Sequence, residues 1–451
     1  MSEKIIVLHP VLLSFRAEEG QNARKFVRNP DAALEEAVGL AHAINLHIVH
    51  SEIIRLKMAT PGTLLGSGTV KRIKDLIQEF KDNDEKVGLV FVDYALSPVQ
   101  QRNLEEEWNA KVIDRTGLIL EIFGARARTN EGKLQVELAA LNYQRSRLVK
   151  AWSHLERQRG GAGFLGGPGE TQKELDRRML DDHIKRLKRD LESVKQNRQI
   201  QRESRKREPY PVVAIVGYTN AGKSTLFNRV TGSEVFAKDL LFATLDTTMR
   251  ALKLPSGKKA VLSDTVGFIS DLPTHLVAAF RSTLEEVLEA AVILHVRDVS
   301  GENSDAEKED VLAILRDLGI DSEHDPRIIE VLNKIDKLPP KEAAATIARC
   351  KRQDKAIAVS AITGEGLDNL TNAIDALLGK DRLTVYADIA ITDGKALAWL
   401  YSRAEVLEQN DDEEFMHLKI AIEPADADRF TAQFPYKFNK TKPKKKKTKA
   451  S

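Results

Sequence analysis

The chain has 451 residues, enough for roughly two to four domains, and is 42% hydrophobic and 30% charged, so it can bury real cores beneath a strongly charged surface. Mean hydropathy is −0.33, and no run approaches the ~18 apolar residues of a membrane-spanning helix, which argues against integral membrane insertion. One cysteine, Cys350, excludes an internal disulfide framework and a multi-cysteine metal cluster and points to the reducing cytoplasm.

The apolar run Ile5–Leu8 is too short for a signal peptide and reads as a strand. Leu46–Ile54, Val87–Val92 and Ala110–Ile113 read likewise, and Ala32–Ile44, Thr69–Phe80 and Pro98–Trp108 read as helices. The alternation predicts a small parallel α/β subdomain over residues 1–130. Gly66-Ser-Gly68 reads as a turn before a helix rather than a nucleotide loop.

From Lys133 the periodicity changes. Leu134, Leu138, Leu141, Leu148, Trp152 and Leu155 form one heptad-like stripe, with Arg145 at the skipped seam position. Leu180, Ile184, Leu187, Leu191 and Val194 form another. The glycine-rich run Arg157–Gly169 between them cannot continue a helix, so residues 131–207 are expected to form an antiparallel helical hairpin. Its second helix, from Thr171 to Arg207, would span ~55 Å. Its flanks carry Arg177, Arg178, Lys185, Arg186, Lys188, Arg189, Arg198, Arg202, Arg205, Lys206 and Arg207, which suit a projecting arm that meets RNA. The competing reading is a solvated face balanced by Asp181, Asp182, Asp190 and Glu192.

Residues 208–380 alternate strand and helix cleanly. Pro211–Val216 reads as a buried strand running into Gly217-Tyr218-Thr219-Asn220-Ala221-Gly222-Lys223-Ser224, a G-x-x-x-x-G-K-[ST] phosphate loop. The glycines let backbone N–H groups face phosphate oxygens, Lys223 neutralises the β- and γ-phosphates, and the Ser224 hydroxyl ligates Mg²⁺. In Asp264-Thr265-Val266-Gly267 an acid ends a second strand: Asp264 would reach Mg²⁺ through water, and the Gly267 N–H would bond the γ-phosphate. Asn333-Lys334-Ile335-Asp336 ends a third strand. An aspartate there accepts from both donors of the guanine edge, which adenine lacks. Lys334 would cover the base, and Asn333 would tie this loop to the phosphate loop. Ser360-Ala361-Ile362 follows the next strand, where the Ala361 N–H would reach guanine O6. Four such segments in order at strand ends indicate a GTP site rather than an ATP site.

Between the first two segments lies Phe242-Ala243-Thr244-Leu245-Asp246-Thr247-Thr248. A threonine here should complete Mg²⁺ coordination and sense the γ-phosphate; position alone does not choose among Thr244, Thr247 and Thr248. Phe268 follows Gly267 where a water-orienting glutamine stands in Ras-like GTPases, so intrinsic hydrolysis is expected to be slow and to depend on something added; the competing reading is that Ser270 or Asp271 takes over. Residues 381–436 read as a β-α-β module with a helix over Ala396–Glu408. The tail, 437–451, carries seven lysines from Lys440 onward and reads as a disordered polyelectrolyte.

Three segments outside the nucleotide motifs carry a family resemblance: Asp114–Phe123, Arg126–Leu138, and Gly167–Gln172 with Asp176-Arg-Arg178. With Phe242–Asp246, they resemble the HflX family within the Obg–HflX group of translation-related GTPases. The resemblance covers residues 1–380 and favours Thr244 as the switch threonine. It implies an α/β fold: an N-terminal α/β subdomain with a long helical hairpin, then a mostly parallel P-loop GTPase domain, to which residues 381–436 add a small C-terminal α+β module by their own pattern. It also implies GTP hydrolysis with Lys223, Thr244 and Gly267 as catalytic groups. Mg²⁺ would be held by Ser224, Thr244 and, through water, Asp264. Asn220 stands where potassium-using relatives carry an asparagine, which adds K⁺. The implied partners are GTP, GDP and the large ribosomal subunit with its RNA, bound by a cytoplasmic monomer that separates or rescues ribosomes under stress. The alternative is a GTP-switched protein for another RNA or a peripheral membrane-associated partner.

Overall fold

A computed structural model describes residues 3–13, 28–158, 172–205, 210–232, 242, 248–270, 281–353, 355–379, 383–422 and 424–439. The chain divides into two compact units, residues 1–252 with 259–370, and residues 253–258 with 371–451.

The first unit opens with β1 (Lys4–Leu12), α1 (Pro30–Ala43), β2 (His47–Leu56), α2 (Ser67–Asp82), β3 (Val87–Val92), α3 (Pro98–Trp108), β4 (Lys111–Asp114) and α4 (Arg115–Arg126). The strands form a four-stranded sheet in the order β2-β1-β3-β4, with parallel ladders throughout. Ile5, Ile6, Val7 and Leu8 of β1 are buried on both faces, as expected of a parallel strand covered by helices on each side. Local chemistry fixes the helix starts. The Ser97 hydroxyl accepts from the Gln100 N–H, the Gln100 side chain accepts from the Ser97 N–H, and Pro98 follows at the first helical position. Asp114 caps α4 by accepting from the Gly117 N–H at 2.8 Å.

Helix α5 (Asn130–Gln158) and helix α6 (Gln172–Arg205) form the expected hairpin. The cross-pairs Glu137–His183 and Arg145–Asp181 run antiparallel, at 3.4 and 3.1 Å. Ile184 and Leu187 are buried, while Arg177, Arg178, Lys185, Arg186, Lys188 and Arg189 are exposed. The foot of α5 differs from its heptad reading. Val136 and Ala139 are its buried apolar residues among those described and join the core of Leu118 and Phe123, whereas Leu134, Leu138 and Leu141 are half-buried. Packing against α4 selects that face. Leu148, Trp152 and Leu155, the tip, and the basic residues from Arg198 onward have no described side chain.

The unit continues with β5 (Val212–Gly217), α7 (Lys223–Thr231), β6 (Thr248–Lys253), β7 (Lys259–Asp264), α8 (Arg281–Glu289), β8 (Val292–Asp298), α9 (Ser304–Asp317), β9 (Ile328–Asn333), α10 (Pro340–Cys350) and β10 (Ala356–Ala358). They build a six-stranded sheet in the order β10-β9-β8-β5-β7-β6. The ladders from β10 through β7 are parallel. Helix α11 (Leu367–Leu378) leads into the second unit.

The second unit contains β11 (Leu383–Ala390), α12 (Gly394–Arg403), β12 (Glu405–Asp411), β13 (Phe415–Ile422) and α13 (Pro424–Gln433). Its sheet is antiparallel, in the order β11-β13-β12. The helix expected over Ala396–Glu408 ends at Arg403. Ala404 is extended (φ −121°, ψ 152°), and Val406 pairs with Ile420. A Glu-Val-Leu-Glu run has no decisive period of its own, and pairing with β13 makes it a strand. Its core gathers Phe430 with Trp399, Phe434 and Phe438. The lysine tail lies outside the described residues.

Candidate nucleotide site

Strand β5 is buried from Val213 to Val216 and delivers Gly217 to the sheet edge beside Val296 of β8. A Cβ on Gly217 would lie 2.2 Å from the Val296 carbonyl oxygen, so no larger residue fits. Gly222 starts α7 at φ +89°, and a Cβ there would stand 2.3 Å from Asn333 Nδ2. The loop thus passes too close to a neighbouring side chain for anything but glycine. The first N–H groups of α7 have no carbonyl partner in their own helix, which makes this end a ready anion site.

Four of the sequence segments converge here. Asn333, 1% exposed, donates through Nδ2 to the Ala221 carbonyl at 2.8 Å, and its Oδ1 accepts the Ala361 N–H at 3.0 Å. One amide therefore locks the base-side loops to the phosphate loop. The Ala361 N–H, expected to reach guanine O6, is bonded here to that buried amide oxygen, which needs a donor. The Ser224 hydroxyl donates to Asp264 Oδ2 at 2.8 Å. A hydroxyl beside a buried carboxylate is a hard oxygen pair that suits Mg²⁺. Lys223 Nζ donates to the Tyr218 carbonyl at 2.6 Å and lies 3.1 Å from where a Gly267 Cβ would stand. Burial draws the Lys223 pKa down to about 8, with Asp264 and Glu307 opposing and Lys334 assisting.

Gly267 and its neighbours lie on the phosphate loop. The Thr219 N–H donates to the Phe268 carbonyl at 2.7 Å, and the Phe268 N–H donates to the Gly217 carbonyl at 3.1 Å. Lys334, left-handed at φ +66°, pairs with Asp298 at 2.7 Å. Asp336 is exposed in a short 3₁₀ turn, and Ile362 is 65% exposed. Asn220 stands exposed in the loop at φ +60°.

Other residues assigned to the nucleotide turn elsewhere. The Tyr218 ring is buried, and its hydroxyl donates to Glu36 at 2.6 Å, on the N-terminal module. The Thr265 hydroxyl donates to the Ile215 carbonyl at 2.6 Å, bracing β5. Val266 and Ile335 are core residues, and the Ser360 hydroxyl accepts the Thr363 N–H at 3.1 Å. These residues offer a nucleotide at most their backbone. Phe242 is also buried, edge-on to Phe123 with ring centroids 4.6 Å apart. Ala243, Thr244, Leu245, Asp246 and Thr247 lie outside the described residues, as does Asp271. Ser270, a candidate for orienting water, is buried with its hydroxyl bonded to Arg115 and Glu36.

Sequence reasoning did not single out Glu36, Asp93 or Arg115. Arg115 stands in the Asp114-Arg-Thr-Gly signature, but only the fold gives that arginine a partner. Glu307 also escaped; burial pushes its pKa up to about 7, with Glu36 and Asp298 adding to the rise.

Comparison with known proteins agrees with this geometry. Residues 31–124 match the family described as GTP-binding GTPase N-terminal, residues 126–205 the GTP-binding GTPase middle region, residues 212–334 the 50S ribosome-binding GTPase family and residues 345–443 the HflX C-terminal domain. The GTPase HflX of Magnetococcus marinus is 47% identical over 392 residues, 87% of this chain and 88% of that protein. The GTPase HflX of Escherichia coli is 45% identical over 318 residues, 70% of this chain and 72% of that protein. The solved structure of a GTP-binding protein from Sulfolobus solfataricus in complex with GDP is 24% identical. It covers 84% of this chain and 99% of its own, with a TM-score of 0.44. Across nearly its whole length, then, this chain belongs to the HflX family of GTPases.

Proposed function

We propose that this GTPase holds GTP or GDP with Mg²⁺ at the ends of β5, β7 and β9 and the loop after β10, and that the nucleotide governs binding to the large ribosomal subunit. The observation that carries the nucleotide reading is the Asn333 bridge, which draws the phosphate loop and both base-side loops into one site. Lys223 neutralises the β- and γ-phosphates, Ser224 and Thr244 hold Mg²⁺ with Asp264 acting through water, and the Gly267 N–H meets the γ-phosphate. Asp336 reads the guanine edge while Lys334 covers the base. Bound Mg²⁺ supplies positive charge against the phosphate oxygens. Asn220 serves a K⁺ ion, so turnover should be faster in K⁺ than in Na⁺, and Asn220→Ala should remove the difference.

The ribosomal half rests on family membership and on the exposed basic residues of α6. No helix among the described residues is long and apolar enough to cross a membrane. The protein acts as a cytoplasmic monomer with the arm at 131–207, the GTPase domain at 208–380 and the C-terminal module at 381–436. Its task is to separate or rescue ribosomes under stress. The test is co-sedimentation with purified large subunits in the presence of a GTP analogue, of GDP and of no nucleotide. Binding strongest with the analogue supports the reading; no binding in any state contradicts it.

A further inference from the structure

Strands β6 and β7 are neighbours in the six-stranded sheet and are joined by residues 254–258 alone. Parallel neighbours need a crossover of a dozen residues or more, so these two form an antiparallel hairpin. One end of each strand lies at the nucleotide segments. β6 begins at Thr248, the last residue of the Phe242–Thr248 segment read as the γ-phosphate sensor. β7 ends at Asp264, whose Oδ2 accepts from Ser224 Oγ at 2.8 Å. β6 is also the last strand of its sheet, and an edge strand gives up the fewest ladder hydrogen bonds when it shifts.

The far end of the hairpin is held by another part of the chain. Residues 253–258 belong to the second compact unit, with 371–451, while the rest of both strands belongs to the first. The turn is tight: the Leu254 N–H donates to the Lys258 carbonyl and the Gly257 N–H to the Leu254 carbonyl, both at 2.9 Å. Gly257 takes φ +83°, which favours glycine. At the tip Ser256 donates twice to one carboxylate, its N–H to Asp375 Oδ2 at 2.7 Å and its hydroxyl to Asp375 Oδ1 at 2.8 Å. Hydrogen bonds to a carboxylate are the stronger kind, and a pair of them fixes orientation as well as distance. Asp375 stands in α11 next to Ile374, which is fully buried, so the carboxylate cannot follow the turn without moving its helix. That helix runs to Leu378, and β11 of the C-terminal sheet starts at Leu383.

We propose that the β6–β7 hairpin reports the nucleotide state to the C-terminal unit, with Ser256 and Asp375 as the joint. The inference rests on the reading of Phe242–Thr248 and Asp264–Gly267 as segments that answer to the γ-phosphate. A strand is close to its full extension of ~3.3–3.6 Å per residue, so a pull at one end is carried along the backbone rather than absorbed. A shift at the phosphate end therefore reaches Ser256, and the carboxylate of Asp375 hands it to α11. Coupling between two sites needs an element that both ends bias; the edge strand β6 and its turn are that element.

The test is hydrogen exchange on the full chain, loaded with GDP or with a non-hydrolysable GTP analogue, beside calorimetric affinities for both. In the unmodified protein, exchange at the amides of residues 371–379 and 383–390 should differ between the two states by about threefold or more. D375N keeps the size of the side chain but replaces one acceptor oxygen with a donor. Its difference between states should vanish at those amides, while both affinities stay within about threefold. S256A removes the hydroxyl alone and should shrink the difference about twofold, so it keeps the test open where D375N fails to fold. A staple that only secures the turn would leave the difference in place and speed exchange equally in both states. Identical exchange in the two states of the unmodified protein, or a difference that survives intact in both variants, overturns the proposal. A chain that binds neither nucleotide overturns the reading of the phosphate site instead.

Discussion

The two sheets of the first unit, one parallel and one parallel from β10 to β7, use the same end for different ligands. In the six-stranded sheet, Gly217, Asp264 and Asn333 stand at the strand ends, and the adjoining loop brings glycine backbone close to neighbouring groups. Backbone N–H groups and a helix N-terminus suit an anion that arrives and leaves. In the four-stranded sheet, Asp93 and Asp114 stand at the ends, already satisfied by Arg115, His9, Tyr143 and Arg147. Paired carboxylates and guanidinium groups suit a peptide segment that stays, and Ser270 is the segment they hold. One end is built from donors awaiting a charge, the other from charges already matched. The Tyr218 side chain joins the two ends, since its backbone belongs to the first and its hydroxyl to the second.

The comparison is broken most severely at Gly222. Gly222→Ala places a Cβ against Asn333 at a backbone angle that alanine resists, so GTP and GDP affinity should fall about a hundredfold or more, ~2.7 kcal/mol. Titration calorimetry measures the loss, and intact affinity would mean that the loop does not close on the nucleotide as described.

His295, in the middle of β8, sharpens the contrast. Its ring is buried, and Nε2 has no hydrogen-bond partner among the described residues. Burial, with help from the nearby Arg297, Lys308 and Lys223, draws its pKa down to about 3 against the pull of Glu330. The folded state therefore keeps His295 neutral while the unfolded chain protonates near the ordinary value of ~6.5. Below that pH the unfolded state binds the extra proton, so stability falls as pH drops toward 3, by ~1.4 kcal/mol per unit. Between pH 6.5 and 5 this amounts to about 2 kcal/mol, and His295→Leu should remove that part of the acid sensitivity. Urea unfolding of both proteins across this range gives the difference. A gap between them that does not change with pH would contradict the assignment.

A smaller effect is expected at the junction. Tyr218→Phe removes the hydroxyl shared by Glu36, Ser270 and Arg28, at a cost of ~1 kcal/mol in unfolding free energy. Nucleotide affinity should stay within about threefold, since the ring faces the N-terminal module. A large loss of affinity would place the ring in the nucleotide site after all. Smallest of all is the arm. Changing Arg177 with Arg178, or Lys188 with Arg189, to Gln should lower the slope of log affinity for ribosomes against log salt by about 1–2. Lys185 and Arg186 should matter less, as Lys185 already meets Asp182 at 3.4 Å. Arg177 has a looser acidic neighbour, Asp181 at 3.9 Å. Identical slopes for every variant would leave α6 a solvated face.

Much of this architecture is legible in the residues, and the reasons are local. The buried β-branched strands, the two long helices of the arm and the phosphate loop each depend on a few neighbours in sequence. The period of α6 survives in space because Ile184 and Leu187 face inward. What could not be read depends on partners far along the chain. Val406 is a strand residue only because Ile420 lies beside it. The Tyr218 hydroxyl meets Glu36 and the Ala361 N–H meets Asn333, partners that no spacing along the chain points to. The Arg115 cluster is the extreme case, because its members come from four separate stretches and no spacing rule connects them.

The account depends most on Asp336 as the reader of guanine. The direct measurement is nucleotide affinity of Asp336→Asn with GTP and with xanthosine triphosphate, by calorimetry on the full chain. The variant turns one of two acceptors into a donor facing the guanine donor edge, and mismatched polar groups cost ~1–3 kcal/mol each. GTP affinity should fall about ten- to a hundredfold, and xanthosine triphosphate, with oxygen at position 2, should then bind more tightly than GTP. Unchanged GTP affinity, with no gain for the xanthine nucleotide, would contradict the account.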